Sequence, residues 1–195
     1  MSRLLLIFLS GMLVSSLTFS QVGNPSGKMP RTPEAEPGTT AAHHGNVPDR
    51  LFVQELAKGG NAEVQFGHLA VNQGESEAVR NFGRHMVADH SEANKKLTEI
   101  ARKSNITVPD GISAEHSRKF LQLQNMRGSK FDTEYINGQI KDHQQTVQLL
   151  QHEISAGQDE ALKALAKELL PTVMKHLQQA QDIQKNLNGQ KTGKE

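Results

Sequence analysis

Three of the nine histidines in this chain sit where long amphipathic helices should bury their apolar stripes. The first lies in His85–Leu97, HMVADHSEANKKL. An α-helix turns about 100° per residue, so taking Val79 as reference places Phe82, Met86, Ala93, Leu97, Ile100 and Ala101 within about 60° of it. His90 falls about 20° away, near the centre of the stripe, with Asp89 at its edge and His85 pointing elsewhere. By the same arithmetic His143 lies about 20° from Asp132, on a face shared with Tyr135, Ile136, Gln139, Ile140, Val147, Leu150 and Ile154. His176 lies about 40° from Leu162, among Leu165, Ala166, Leu169, Val173, Ala180 and Leu187. A carboxylate, Glu63, is about 20° from the centre of a stripe made by Phe52, Leu56, Phe66, Gly67 and Ala70.

One carboxylate and three imidazoles converging on an interior form a ligand set for one divalent transition metal ion such as Zn, Cu, Ni or Fe, without sulfur. Asp89, Asp132 and Tyr135 are the expected oxygen partners behind the ligands, because a ligating histidine donates its other N–H to an oxygen. The competing reading is a metal-free hydrogen-bond network, in which Glu63 and the histidines share protons and fix helix register. Axial depth distinguishes the four positions. Counted from Gly74, Glu63 lies 11 residues back and His90 16 forward. At about 1.5 Å per residue that is a mismatch of roughly 7–8 Å. His143 and His176 are offset similarly about Gly157, by 14 and 19 residues. Of the other histidines, His68, His85 and His152 project to solvent faces and His116 belongs to a short helix.

The elements that must carry these side chains read as all-α. The chain is 35% hydrophobic with no Trp and one Tyr, which suits a bundle built on Leu, Ala, Val and Ile rather than a β-sandwich. After Pro48, Asp49 is the expected N-cap of a first helix over about 50–72. Gly74 and Ser76 then close one helix and open the next, about 76–103, so the two should be antiparallel neighbours. Val108–Gly111 is a turn, and Ser113–Met126 has room for a short helix crossing the bundle. Ser129, with Asp132 three residues on, reads as the cap of a third long helix ending near Ser155. Gly157 and Asp159 delimit a last helix over about 160–187, which Pro171 should kink. The expected architecture is an antiparallel four-helix bundle with one extra short helix between its second and third long helices.

Around this domain, residues 1–20 read as a secretory signal peptide: Arg3, the apolar run Leu4–Leu13, and small residues before Gln21. Residues 21–47 are rich in Pro, Gly, Thr and Ser and read as a disordered linker in which His43-His44 supplies too few ligands for a metal site. The bundle should occupy 48–188 and a frayed polar tail 189–195.

Composition excludes several classes. Twenty-two basic against 21 acidic residues leave no field to steer nucleic acid or an anionic membrane. The absence of cysteine removes disulfides, thiolate ligands and a lipidated-cysteine anchor together. No phosphate loop, dinucleotide fingerprint or nucleophile elbow is present. Met86 and His90 share one helix, so they do not ligate opposite faces of a haem.

Several of these residues are also shared with a known group. Phe52, Glu63-Val64, Met86-Val87, Asp89-His90, Asn94, Leu97, Ala101, Phe131-Asp132, Tyr135, His143, Leu170-Pro171 and His176, over about 50–185, resemble the bacterial DUF4142 family of unknown function. The resemblance implies a ferritin-like bundle and an exported protein of the periplasm or cell envelope. It does not imply di-iron chemistry, since the Glu-x-x-His motif of di-iron bundles is missing. Val87, Ile140 and Val173 stand where its glutamates would be. The expectation is a non-enzymatic envelope protein that binds a metal through Glu63, His90, His143 and His176, or else a metal-free interaction module for a protein partner.

Overall fold

The computed structural model describes residues 46–192, with side chains to 189. The expected signal peptide lies outside the described residues, as does the linker up to Gly45. Within the described residues the chain is all-helical: α1 (Val47–Gln73), α2 (Glu77–Lys103), α3 (Ala114–Gln124), α4 (Gly128–Ala156) and α5 (Glu160–Thr192). The main pairings are α1 with α2 and α4 with α5, and the pairs join through α1 against α4 and α2 against α5.

Local signals set most boundaries. Ser76 accepts a hydrogen bond from the Val79 amide, and Ser113 one from the His116 amide, as N-caps do. Asp159 accepts from the amides of Ala161 and Leu162 at the start of α5. Gly74 and Gly157 close α1 and α4, their amides bonding back to Ala70 and Glu153. Two caps differ from expectation. Asn46, not Asp49, caps α1, and Pro48 lies within its first turn, where the missing N–H is harmless. Chain entry into α4 runs through Gly128 at φ +64°, with no side-chain cap from Ser129 or Asp132. α5 continues through exposed Pro171 and past Leu187 to Thr192, further than the expected frayed tail allowed.

The two displaced aspartates have a larger task. Asp49 is buried and accepts from the Gln158 and Asp159 amides, both at 2.9 Å. Asp132, equally buried, accepts from the Glu75 and Ser76 amides at 2.9 and 2.8 Å. Each carboxylate thus accepts from the two amides that lead into a helix of the opposite pair, where negative charge also meets the helix dipole. The arrangement is repeated in sequence. Asp49-x-x-Phe52-Val53 and Gly74-x-Ser76 recur 83 positions on as Asp132-x-x-Tyr135-Ile136 and Gly157-x-Asp159. The fold is therefore two similar helix pairs, each stapled by the other.

Two apolar clusters fill the interior. One is built on Phe66, Phe82, Met86, Phe131, Tyr135 and Ile136, the other on Phe52, Leu97, Leu150, Leu162 and Leu165. Within the first pair, α1 and α2 approach to backbone contact at Gly67 and Gly83. A Cβ on either would lie 2.8 Å from the other's carbonyl oxygen. α3 lies against α1 and α4. Phe120 stacks on Phe66, the His116 ring meets Phe66 edge-on, and Lys119 crosses over Gly138 to pair with Asp142 at 2.6 Å.

Candidate metal centre

Between the two apolar clusters, the stripes of α2, α4 and α5 each present one imidazole. The ring centroids of His90, His143 and His176 are 5.5–5.7 Å apart pairwise, and one nitrogen from each lies within 4.8 Å of the others. His143 and His176 are buried, and His90 is part-buried. Phe82 backs two of the rings, 6.5 Å from His143 and 6.3 Å from His176.

Two of the three tautomers follow from their partners. His143 Nδ1 is 2.9 Å from the Gln139 carbonyl, which only accepts, so Nδ1 carries the proton and Nε2 keeps its lone pair. His176 Nε2 is 2.8 Å from the Asp89 carboxylate, so Nε2 donates and Nδ1 keeps its lone pair. The nitrogens left over are His143 Nε2, His176 Nδ1 and His90 Nε2. All three are buried, and none has a hydrogen-bond partner among the described residues. Burial lowers the proton affinity of all three rings, first by desolvation and then by mutual repulsion at His90 and His143. His143 is brought down to about 4, and Asp89 partly counters the shift at His176. At neutral pH the cluster is three uncharged imidazoles with lone pairs available.

Such a donor set suits a borderline transition ion. With metal–nitrogen bonds of about 2.0–2.1 Å, tetrahedral geometry holds the nitrogens roughly 3.3 Å apart. The rings would draw together by up to about 1.5 Å from a separation of up to 4.8 Å. The outer hydrogen bonds to the Gln139 carbonyl and to Asp89 are of the kind that orient metal-bound histidines.

The other expected residues fall elsewhere. Glu63 is buried but stands behind His143, its Oε1 3.9 Å from Nδ1, the nitrogen that faces away from the cluster. Its Oε2 accepts from the Gln139 amide at 2.6 Å. Desolvation, reinforced by Asp142, raises the Glu63 carboxyl to about 8, so it is protonated at neutral pH. Of the expected oxygen partners, Asp89 is in place. Asp132 is instead committed to the α1–α2 turn. Tyr135 stacks on Phe131, and its buried hydroxyl bonds to none of the described residues. Gln139 is the contributor that stripe arithmetic placed without assigning a role. It holds Glu63 with its side chain and His143 with its carbonyl. Its spacing of four residues before His143 was the available signal, since one helical turn puts that carbonyl beneath the ring.

Two spaces adjoin the cluster. A cavity of about 30 Å³, lined by Gly60, Ala93, Val173 and the rings of His90 and His176, has room for about one water molecule. A larger one of about 240 Å³ runs inward from exposed Glu55 and Gln145 to Glu63 and His90.

The fold has a counterpart of known structure. A DUF305 fragment from Deinococcus radiodurans superimposes with a TM-score of 0.64 at 13% identity, covering 73% of this chain and 98% of that one. At that identity the similarity speaks for the fold alone. No curated protein of similar sequence was found. The sequence profile of DUF4142, a domain of unknown function, matches residues 34–183, and the chain belongs to that family.

Proposed function

We propose that this is an exported envelope protein whose bundle holds one divalent transition metal ion between His90, His143 and His176. The observation carrying this reading is the set of three mutually close, neutral imidazoles, each with a buried nitrogen that has no hydrogen-bond partner among the described residues. A purely structural network would leave few such groups, because an unsatisfied buried polar atom costs about 1–3 kcal/mol. Here three occur in one cluster. The connections Gly74–Ser76 and Gly157–Asp159 are short enough to make each pair antiparallel, which favours a four-helix, ferritin-like bundle with α3 as the addition. Export is supported by the apolar run behind Arg3. The role is binding rather than turnover, in metal storage, buffering or delivery.

The test is elemental mass spectrometry on untagged protein after dialysis, with His90→Ala and His143→Ala variants checked for helicity. About one ion per chain, lost in either folded variant, is expected. A wild-type protein that stays empty and refuses added Zn, Cu, Ni and Fe would return the cluster to a structural network.

A further inference from the structure

The cavity of about 240 Å³ is the larger of the two spaces that reach the histidine cluster. Its lining is graded. Exposed Glu55 stands at the mouth, Asp142 and His116 further in, and buried Glu63 with His90 at the inner end. Water takes about 30 Å³ per molecule in the liquid, so this volume holds a short column of solvent. The smaller space, which shares Gly60 and His90 with it, takes about one water, with Ala93 and Val173 in its wall.

Resting on the metal reading above, we propose that this cavity is the port through which a hydrated cation reaches the His90, His143 and His176 nitrogens. Two carboxylates, those of Glu55 and Asp142, in one concave, partly desolvated wall concentrate cations at its mouth and repel anions. A divalent ion must also shed its water to enter a buried site, and losing the whole shell at once is prohibitive. The wall supplies replacements in order. Carboxylate oxygens of Glu55 and Asp142 come first, then an imidazole, His116, whose buried Nδ1 has no partner among the described residues. His90, which belongs to both the cavity wall and the cluster, completes the transfer. Asp142 is tied to Lys119 of α3, so the same contact that seats α3 also shapes this wall.

Gly59 offers a direct way to close the port. It lines the cavity, and nothing lies within 4 Å of where its Cβ would be. A side chain can start there without a clash, and Leu also favours the helix over Gly. The experiment is stopped-flow loading of the purified metal-free chain with Co2+ at low ionic strength. The visible absorption that intensifies when nitrogen replaces water reports arrival, and release is followed on adding a chelator. Variants are Gly59→Leu, Glu55→Gln and His116→Ala, with Thr172→Leu at the smaller space as control. A path lowers its barrier in both directions. Loading and release should therefore both slow by about tenfold in the port variants, within the range of electrostatic steering, with the equilibrium affinity unchanged. The Thr172→Leu control should load like wild type. Unaltered rates in Gly59→Leu, or slowing in Thr172→Leu alone, would overturn the port while leaving the metal site standing. Loss of affinity in Glu55→Gln or His116→Ala would overturn it too, making those residues ligands. Wild-type protein that never takes up Co2+, Zn2+ or Cu2+ at equilibrium removes the metal reading and the port with it.

Discussion

Glu63 offers the sharpest quantitative test of how the core is charged. Its carboxyl is raised to about 8 because burial strips its hydration and Asp142 adds a like charge. In the unfolded chain the same group ionises near 4.3. Between about 4.5 and about 8 the folded metal-free protein therefore holds a proton that the unfolded chain lacks. Stability is unaffected by this group below that window and declines as pH rises through it. At about 1.36 kcal/mol per pH unit, the deficit approaches a ceiling of about 5 kcal/mol at pH 8. Water in the adjoining cavity reduces it, to an order of 2–4 kcal/mol. Glu63→Gln keeps the volume and leaves an oxygen for the Gln139 amide, but has no charge to bury. Urea unfolding of wild type and variant, both metal-free, should give stabilities within about 1 kcal/mol of each other at pH 5. At pH 8 the variant should be more stable by about 2–4 kcal/mol, a midpoint roughly 1–2 M higher for a typical urea slope. Equal midpoints at both pH values would refute the reasoning. So would a variant weaker at pH 8, which would mean an ionised Glu63 held by a charged His143.

Two further outcomes follow from the same physics. His143 is neutral in the fold with its pKa down at about 4, while the unfolded chain protonates near 6.5. Its contribution is complete above about 6.5 and is lost as pH falls towards 4, by about 3 kcal/mol across the window. The metal-free His143→Ala variant should consequently lose less stability than wild type between pH 7 and pH 5, read from urea midpoints. Asp132→Ala removes the acceptor of two amide hydrogen bonds at the start of α2, at a cost of about 2–4 kcal/mol. Hydrogen exchange should speed up selectively at Glu75 and Ser76, and unchanged exchange there would deny Asp132 its role as staple.

Some of the site is written in local sequence, and some exists only in the assembled bundle. Which side of a helix a residue occupies depends on a fixed turn of about 100°, so His90 could be separated from His85, and His143 from His152, before any fold was known. Some caps that act within one turn were legible too: Ser76 and Asp159 bond to amides two or three residues ahead, whereas Asn46, which does the same for α1, was passed over for Asp49. Asp49 and Asp132 are the same chemical type and were assigned the same task, but their amide partners lie 109–110 and 56–57 residues away. Nothing local distinguishes a carboxylate that caps its own helix from one that caps another.

Depth along the bundle was the other quantity out of reach. The 14-against-19 offset about Gly157 did not keep His143 and His176 apart, and their rings meet at 5.5 Å. Glu63, with a comparable offset about Gly74, sits behind His143 rather than among the three free nitrogens. Residue counts fix distance along one helix. The sliding of one helix against its neighbour is set by packing, and here by close contacts such as Gly67 against Gly83. The sequence alone determined that four polar side chains point inward. Only the tertiary structure decided that three imidazoles meet and the carboxylate stands behind them, because that choice lies in the register between helices.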